Sequence, residues 1–476
     1  MLSEMLHHDG LALTDGRNGL SYGELSEIVE KIGTQLRASG ARTIGLALDN
    51  SPLWGALDLA VLHAGLVCVP LPSFFSPYQL AHVIDDSGID TILADSPDFF
   101  QGRAIERECC GWRYAEIAVH EARRVDLPSG TVKITYTSGT TGHPKGVCLD
   151  LPSIEKVAKS LLHASLARFD DRYFSILPLS TLLENIGGLY VPLLAGAACH
   201  VPQPQESGLR GIMHVDIGKM TSSLFRHRAT CTILTPQLLQ GLAGHLEKGG
   251  LPDLRFVAVG GAPVPARLFG KCAAIGLPVF EGYGLSECAS VVSLNGPQGC
   301  KTGSVGKPLP HVDLKFADDG EILVKGSVML GYCGENRQEE GDYWPTGDTG
   351  YLDCEGYLYL TGRKRNMFVT SFGRNVSPEW VEKELTVHPA VRQAAVFGEA
   401  RAWNAAVIVT SDPGGVEDAV RQANALLPDY ARVAKWLIAD EPFHLGNGQL
   451  TANGKLKREA IWPRYRERIA SLYGDN

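Results

Sequence analysis

Apolar positions along the chain switch repeatedly between a helical and a two-residue period, and each switch marks an element. Ser21 followed by Glu24 reads as a capping box, after which Leu25, Ile28, Val29, Ile32 and Leu36 recur on one helical face until Gly40 ends the run. The spacing then predicts a strand over 43–48, a helix over 56–63, a strand over 66–69, a helix over 78–86 and a strand over 91–94. A second series follows: helix 154–168, strand 173–177, strand 231–234 with helix 237–247, strand 255–259 with helix 266–275, and strand 279–281. Helices and strands taking turns imply parallel sheets covered on both faces, with ligands beyond the carboxyl ends of strands. Gly260-Gly261-Ala262-Pro263 and Gly282-Tyr283-Gly284 stand at two such ends.

From Lys301 short β segments separated by turns replace the alternation, as at 320–326 and 350–353. Beyond Gly362 a helix over 380–385 and strands over 393–397 and 405–410 predict a smaller α+β region. The expected fold is therefore α/β: a large N-terminal domain of parallel α/β subdomains plus a β-rich subdomain, then a small α+β C-terminal domain. The expected bounds are 1–362 and 367–476, with a connection at 363–366.

Composition narrows the function. A chain of 476 residues is too long for one core, and 44% hydrophobic with 20% charged residues is ordinary for a soluble protein. A net charge of -9 argues against general nucleic-acid binding. Eleven cysteines without zinc spacing fit reduced thiols. The start, MLSEMLHHDG, lacks a signal-peptide pattern, and the apolar stretch 54–69 is interrupted by Asp58, His63 and Gly65. A cytoplasmic protein without a membrane span is expected.

The chemistry centres on Tyr136 to Val147, YTSGTTGHPKGV. Thr137, Ser138, Gly139, Thr140, Thr141 and Gly142, with Lys145 three residues on, offer hydroxyls, backbone N–H groups and one ammonium to a polyphosphate. The commoner phosphate loop needs Gly-Lys followed at once by Ser or Thr, whereas Lys145 lies between Pro144 and Gly146. Tyr283 offers an aromatic face for adenine, Ser286 a hydroxyl for phosphate and Glu287 a carboxylate for Mg2+. Asp348 can accept hydrogen bonds from both ribose hydroxyls, Arg363 can reach ribose or phosphate, and Lys455 follows an Asn-Gly turn that can present its ammonium.

These segments, in this order, resemble the adenylate-forming superfamily of acyl-CoA synthetases, peptide-synthetase adenylation domains and beetle luciferases. The resemblance covers roughly residues 130 to 460. It implies an AMP-binding domain over 1–362, a hinge at 363–366 and a mobile C-terminal lid over 367–476. It also implies ATP, Mg2+ and coenzyme A, with Glu287 and Thr137 on the metal, Asp348 and Arg363 on the ribose, and Lys455 as the essential lysine. Gly261, Ala262, Pro263, Glu281, Gly282 and Gly284 would line the nucleotide and acid sites, and Gly373 the passage for the pantetheine arm. LPLSTLLE at 177–184 is similar to the long-chain acyl-CoA synthetase stretch Leu-Pro-Leu-Ala-His-x-x-Glu, although Thr181 replaces the His and Arg365 replaces the usual hinge Asp or Lys. The compact interval between Glu287 and Thr346 lacks the insertion of acyl-AMP ligases and favours CoA as acceptor. The implied reaction activates a small-molecule carboxylic acid, a fatty acid by this likeness, to an acyl-adenylate and passes it to CoA. An acyl carrier protein as acceptor, or a catalytically silent nucleotide-binding relative, are the alternatives.

Overall fold

The computed structural model describes residues 1–96, 100, 102–109, 111–119, 122–137, 144–210, 214–246, 250–262, 264–336, 343–364, 366–372, 374–451 and 454–474. The capping box forms: the Ser21 side chain accepts from the Glu24 amide and Glu24 Oε2 accepts from the Ser21 amide at 2.8 Å, starting helix Tyr22–Ser39. Gly40 ends that helix at φ 78°, where a side chain would be strained.

The alternation builds two nine-stranded sheets. In one, Val279–Tyr283, Phe256–Val259, Cys231–Leu234, Arg172–Phe174, Ala198–His200 and Leu11–Thr14 run parallel in that order. In the other, Thr91–Ala94, Thr43–Ala47, Val67–Pro70 and Thr131–Thr137 run parallel. Its edges are antiparallel: Lys145–Asp150 and Gly331–Tyr332 on one side, the hairpin Gly102–Cys109 and Trp112–Val119 on the other. The hairpin escapes the periodicity because its first strand is largely exposed on both faces.

Several predicted bounds are corrected. The helix predicted over 154–168 spans Leu151–Ala164, because Asp150 caps it from Ser153 N at 3.0 Å and the chain turns at Leu166, φ 50°. The strand predicted over 173–177 is only Arg172–Phe174, the helix predicted over 237–247 is Pro236–His245, and 350–353 overlaps the end of the longer strand Trp344–Leu352.

Val312–Phe316, Glu321–Gly326, Trp344–Leu352 and Leu358–Arg363 form a four-stranded antiparallel sheet. The C-terminal sheet is Gln393–Phe397, Asn404–Val409 and Val433–Ile438. Its alternating residues feed two cores: Ala394, Val396, Ala406 and Ile408 pack on helices Pro378–Thr386 and Val416–Leu426, while Ala395, Ala405 and Val407 pack on Ile461, Tyr465 and Ile469 of Arg458–Tyr473. Arg267 of the large part reaches this region, donating to Gln422 Oε1 at 3.1 Å and to the Glu384 carbonyl at 3.4 Å.

The second sheet contains a fully buried ion pair. Lys133 Nζ lies 2.6 Å from Asp58 Oδ1, 2.5 Å from Asn185 Oδ1 and 2.7 Å from the Tyr190 hydroxyl, which uses all three ammonium donors. Tyr190 and Asn185 donate to the other Asp58 oxygen, and Cys68 donates to Oδ1 at 3.2 Å. The cluster ties strand Thr131–Thr137 to helix Pro52–His63 and to the π-helical turn Asn185–Tyr190.

Candidate functional site

Thr137 and Lys145 stand opposite one another at the paired ends of two antiparallel strands. Helix Pro77–Ser87 braces both ends: Tyr136 donates to Asp86 Oδ2 at 2.7 Å, and His82 Nε2 lies 3.0 Å from the Pro144 carbonyl. Burial beside Asp86 raises the Tyr136 phenol, so it remains a donor. Ser138, Gly139, Thr140, Thr141 and Gly142 lie outside the described residues, as do Pro263, Arg365 and Gly373.

Glu287 is set by a knot of strained backbone. It sits in the 3-10 turn Ser286–Cys288, after which Ala289 and Ser290 take φ values of 52° and 101°. A Cβ at Gly284 would lie 1.7 Å from the Ser290 carbonyl oxygen, so only glycine fits there. Such strain in a non-glycine residue persists where surroundings over-determine it, often at functional sites. The Tyr332 hydroxyl donates to Glu287 Oε1 at 3.2 Å, and Lys145 Nζ stands 5.0 Å from the centre of the Tyr332 ring.

Asp348 and Arg363, distant in sequence order, are cross-strand partners joined by an ion pair of 2.9 Å. Asp348 is 5% exposed and accepts from the Tyr283 hydroxyl at 2.7 Å. Tyr283 thus uses its hydroxyl to orient the carboxylate while its ring joins the cavity wall. Gly347 turns the chain into Asp348 at φ 71°, with its amide held by Glu321 Oε1 at 2.9 Å. Strand Leu358–Arg363 and the bond from Lys364 N to the Gly347 carbonyl, 2.9 Å, hold 362–364 on the large part, whereas Asn366 donates to Glu379 of the C-terminal region at 2.5 Å.

Lys455 follows Gly454, φ 72°, on a loop closed by Thr451 N to the Lys455 carbonyl at 2.7 Å and Lys455 N to Thr451 Oγ1 at 3.0 Å. Thr137, Lys145, Gly261, Ala262, Glu281, Gly282, Tyr283, Gly284, Ser286, Glu287, Asp348, Arg363 and Lys455 all line one cleft of ≈ 2750 Å³. Glu281 is 4% exposed and accepts from Val264 N at 3.1 Å; burial pushes its carboxyl up to about 7.

The cleft continues into the large part as a channel. Cys231 to Ile233 with Thr235, and Phe256 with Ala258 to Gly260 on the neighbouring strand line, form its wall, and the cross-strand pairs Cys231–Phe256 and Ile233–Ala258 share one sheet face. Cys231, Ile233 and Phe256 keep 8%, 5% and 6% exposure, against 0% for Leu234 and Val257 on the opposite face. From Gly260 to Phe256 the wall runs roughly 13 Å, at ~3.3 Å per residue. Gly187 and Val191 also line it, and Gly187 packs directly on the Ile233 side chain: a Cβ there would lie 2.8 Å from Ile233 Cδ1.

Glu184 lies behind that wall, fully buried. Its Oε1 accepts from Tyr173 at 2.9 Å and Ser175 at 2.6 Å, while Oε2 has no partner among the described residues. Burial pushes the carboxyl up to about 8, against those hydrogen bonds. The folded state therefore holds a proton that the unfolded chain releases above the ordinary value of 4.5. Its stabilising contribution is complete below that value and is lost as pH rises through about 8, by at most ~1.4 kcal/mol per unit. Urea unfolding at pH 5 and pH 8 should show this decline, reduced in Glu184→Gln; equal declines in both proteins would refute the assignment.

Two residues on the cleft wall had no signal in the sequence. Tyr332 stands 45 residues from Glu287 on a two-residue strand. Ser290 presents a buried Oγ without a partner among the described residues. Among those residues no group of three His, Cys, Asp or Glu side chains could hold a metal, and no helix is long and apolar enough to cross a membrane.

The chain belongs to the AMP-binding enzyme family: the family's model matches residues 5–333, and that of its C-terminal domain matches 365–476. It is similar to the long-chain-fatty-acid–CoA ligase FadD15 of Mycobacterium bovis, 26% identical over 88% of this chain and 86% of that one. It is also similar to the feruloyl-CoA synthase of an Amycolatopsis species, 30% identical over 81% and 82%. The solved structure of o-succinylbenzoate coenzyme A synthetase from Bacillus subtilis, with ATP and a magnesium ion, matches with a TM-score of 0.77 at 26% identity, over 96% of this chain and 98% of that one.

Proposed function

We propose that the protein is an AMP-forming acid–CoA ligase acting on a fatty acid in the cytoplasm. The observation that carries this reading is the convergence of the Thr137–Lys145 strand pair, Glu287, the Asp348–Arg363 pair and Lys455 on one cleft that opens into an apolar channel. The apolar side chains of Ile233, Phe256 and Ala258 on the cleft wall favour a hydrophobic acid, and the relatives act by their names on fatty or aromatic acids.

In the first step an acid carboxylate oxygen attacks the α-phosphorus of ATP, and the bond to the bridging oxygen breaks to release pyrophosphate. Lys145 and the hydroxyls of 137–141 hold the β- and γ-phosphates, Asp348 with Arg363 holds the ribose, and Lys455 neutralises charge growing on the α-phosphoryl oxygens. A Mg2+ ion takes few protein ligands and otherwise phosphate and water oxygens; Glu287 with Thr137 fits that need. Such an ion would supply charge neutralisation of the polyphosphate. In the second step the CoA thiol, giving up its proton, attacks the acyl carbon; the carbon–oxygen bond to AMP breaks, leaving thioester and AMP. The small domain, 367–476, turns about 363–366 between the steps, withdrawing Lys455 and bringing Gly373 toward the pantetheine arm.

The test is AMP formation from Mg-ATP with a ladder of straight-chain and aromatic acids, each with and without CoA. AMP that depends on CoA and peaks in one window of straight chains is expected. Acid-dependent pyrophosphate with retained adenylate, turned over only by a carrier protein, would replace CoA as acceptor. Absence of acid-dependent pyrophosphate would refute the reading.

A further inference from the structure

We propose that Tyr332 is a positioning residue that joins the metal-binding carboxylate to the phosphate-binding ammonium, through its hydroxyl on Glu287 and its ring face toward Lys145. The inference rests on the reading of the cleft as an ATP site.

The segment carrying Tyr332 is fastened on both sides. Tyr332 pairs with Val147 in the strand that begins at Lys145, flanked by bonds of 2.9 Å from Leu330 N to the Cys148 carbonyl and from Cys333 N to the Gly146 carbonyl. Met329 N donates to the Glu287 carbonyl at 2.7 Å, so the same segment holds the backbone of the metal carboxylate. Trp344 meets the Tyr332 ring edge-on at 6.4 Å, which limits its rotation. A single rigid side chain therefore sets the separation of two groups that belong to different elements.

The chemistry of each contact is distinct. A phenol donating to Oε1 restricts the Glu287 carboxylate and leaves Oε2 available to a cation. The electron-rich ring face attracts the Lys145 ammonium and narrows the volume it samples. Phenylalanine would remove the first contact and keep the second; leucine would remove both.

Calorimetric titration of the full chain with ATP, without acid, in Mg2+ and separately in EDTA resolves the two. Tyr332→Phe should weaken ATP binding about tenfold in Mg2+, the scale of a hydrogen bond to a charged group, and less than about twofold in EDTA. Tyr332→Leu should weaken binding in EDTA as well, by about threefold, through Lys145. With Glu287→Gln already present, Tyr332→Phe should add no further loss in Mg2+. Equal losses in Mg2+ and EDTA for Tyr332→Phe, wild-type titration of that variant in Mg2+, or additive losses with Glu287→Gln would each overturn the proposal. A wild-type chain that binds no ATP in either medium would overturn the reading of the cleft, and the proposal with it.

Discussion

Lys455→Ala is expected to lose roughly 10²–10³-fold in acid-dependent pyrophosphate release while forming thioester from supplied acyl-adenylate and CoA at close to the wild-type rate. The loss follows from where charge develops. The acid is ionised at neutral pH and needs no base, so the barrier lies in building charge on the α-phosphoryl oxygens; a positioned ammonium stabilises that charge. Lys455 stands on a loop of the small domain that closes on itself through Thr451 and turns at Gly454; both closing bonds use the Lys455 backbone, so alanine keeps them while removing the charge. Thioester formation leaves phosphorus with its four oxygens throughout; charge grows first at the acyl carbonyl and then on the oxygen that departs with AMP, and on the proposed rotation Lys455 has already withdrawn from that oxygen. The two half-reactions, measured separately by pyrophosphate release and by thioester formation from synthetic adenylate, should therefore respond differently. Equal loss in both would remove Lys455 from the chemistry and make it a structural residue of the C-terminal region.

The sequence is most legible where one local rule decides the outcome. The capping box at Ser21 and Glu24 needs one turn of chain and nothing else, and it forms as read. The overshoot of the 154–168 helix has an equally local cause: Leu166 and Ala167 continue the apolar spacing, yet the chain leaves the helix at Ser165 and Leu166 takes a left-handed φ. Asp348 and Arg363 can be read singly as ribose ligands, but only the pairing of strands Trp344–Leu352 and Leu358–Arg363 makes them one unit. Tyr332 is illegible for the opposite reason. A Gly-Tyr pair has no periodicity, and its meaning comes from Lys145 and Glu287, brought to it by two separate sheet and loop contacts. Asp58 likewise reads as an interruption of an apolar run, while its partners Lys133, Asn185 and Tyr190 lie on other elements.

That buried cluster carries the second large expectation. Lys133→Met should destabilise the protein by about 3–5 kcal/mol, because it leaves the Asp58 carboxylate uncompensated in a region with no access to water. The remaining donors, from Asn185, Tyr190 and Cys68, are neutral and do not replace the ammonium. For a domain of this size the thermal midpoint should fall by about 5 °C. Asp58→Leu alone should be as damaging, since it strands the ammonium instead. Removing both charges together, with Asp58→Leu and Lys133→Met in one chain, should cost less than either single change: the attraction of a buried pair largely offsets its desolvation, so losing the pair costs less than losing half of it. The double-mutant cycle by urea unfolding decides this; single changes that simply add would show that Asp58 and Lys133 act by packing volume rather than by charge. The consequence reaches the cleft, because strand Thr131–Thr137 carries both Lys133 and Thr137 and the turn Asn185–Tyr190 carries Gly187 of the channel wall. One ion pair thereby holds the phosphate end and the acid end of the cleft in a single register, and the single variants should lose ATP affinity and acid affinity together.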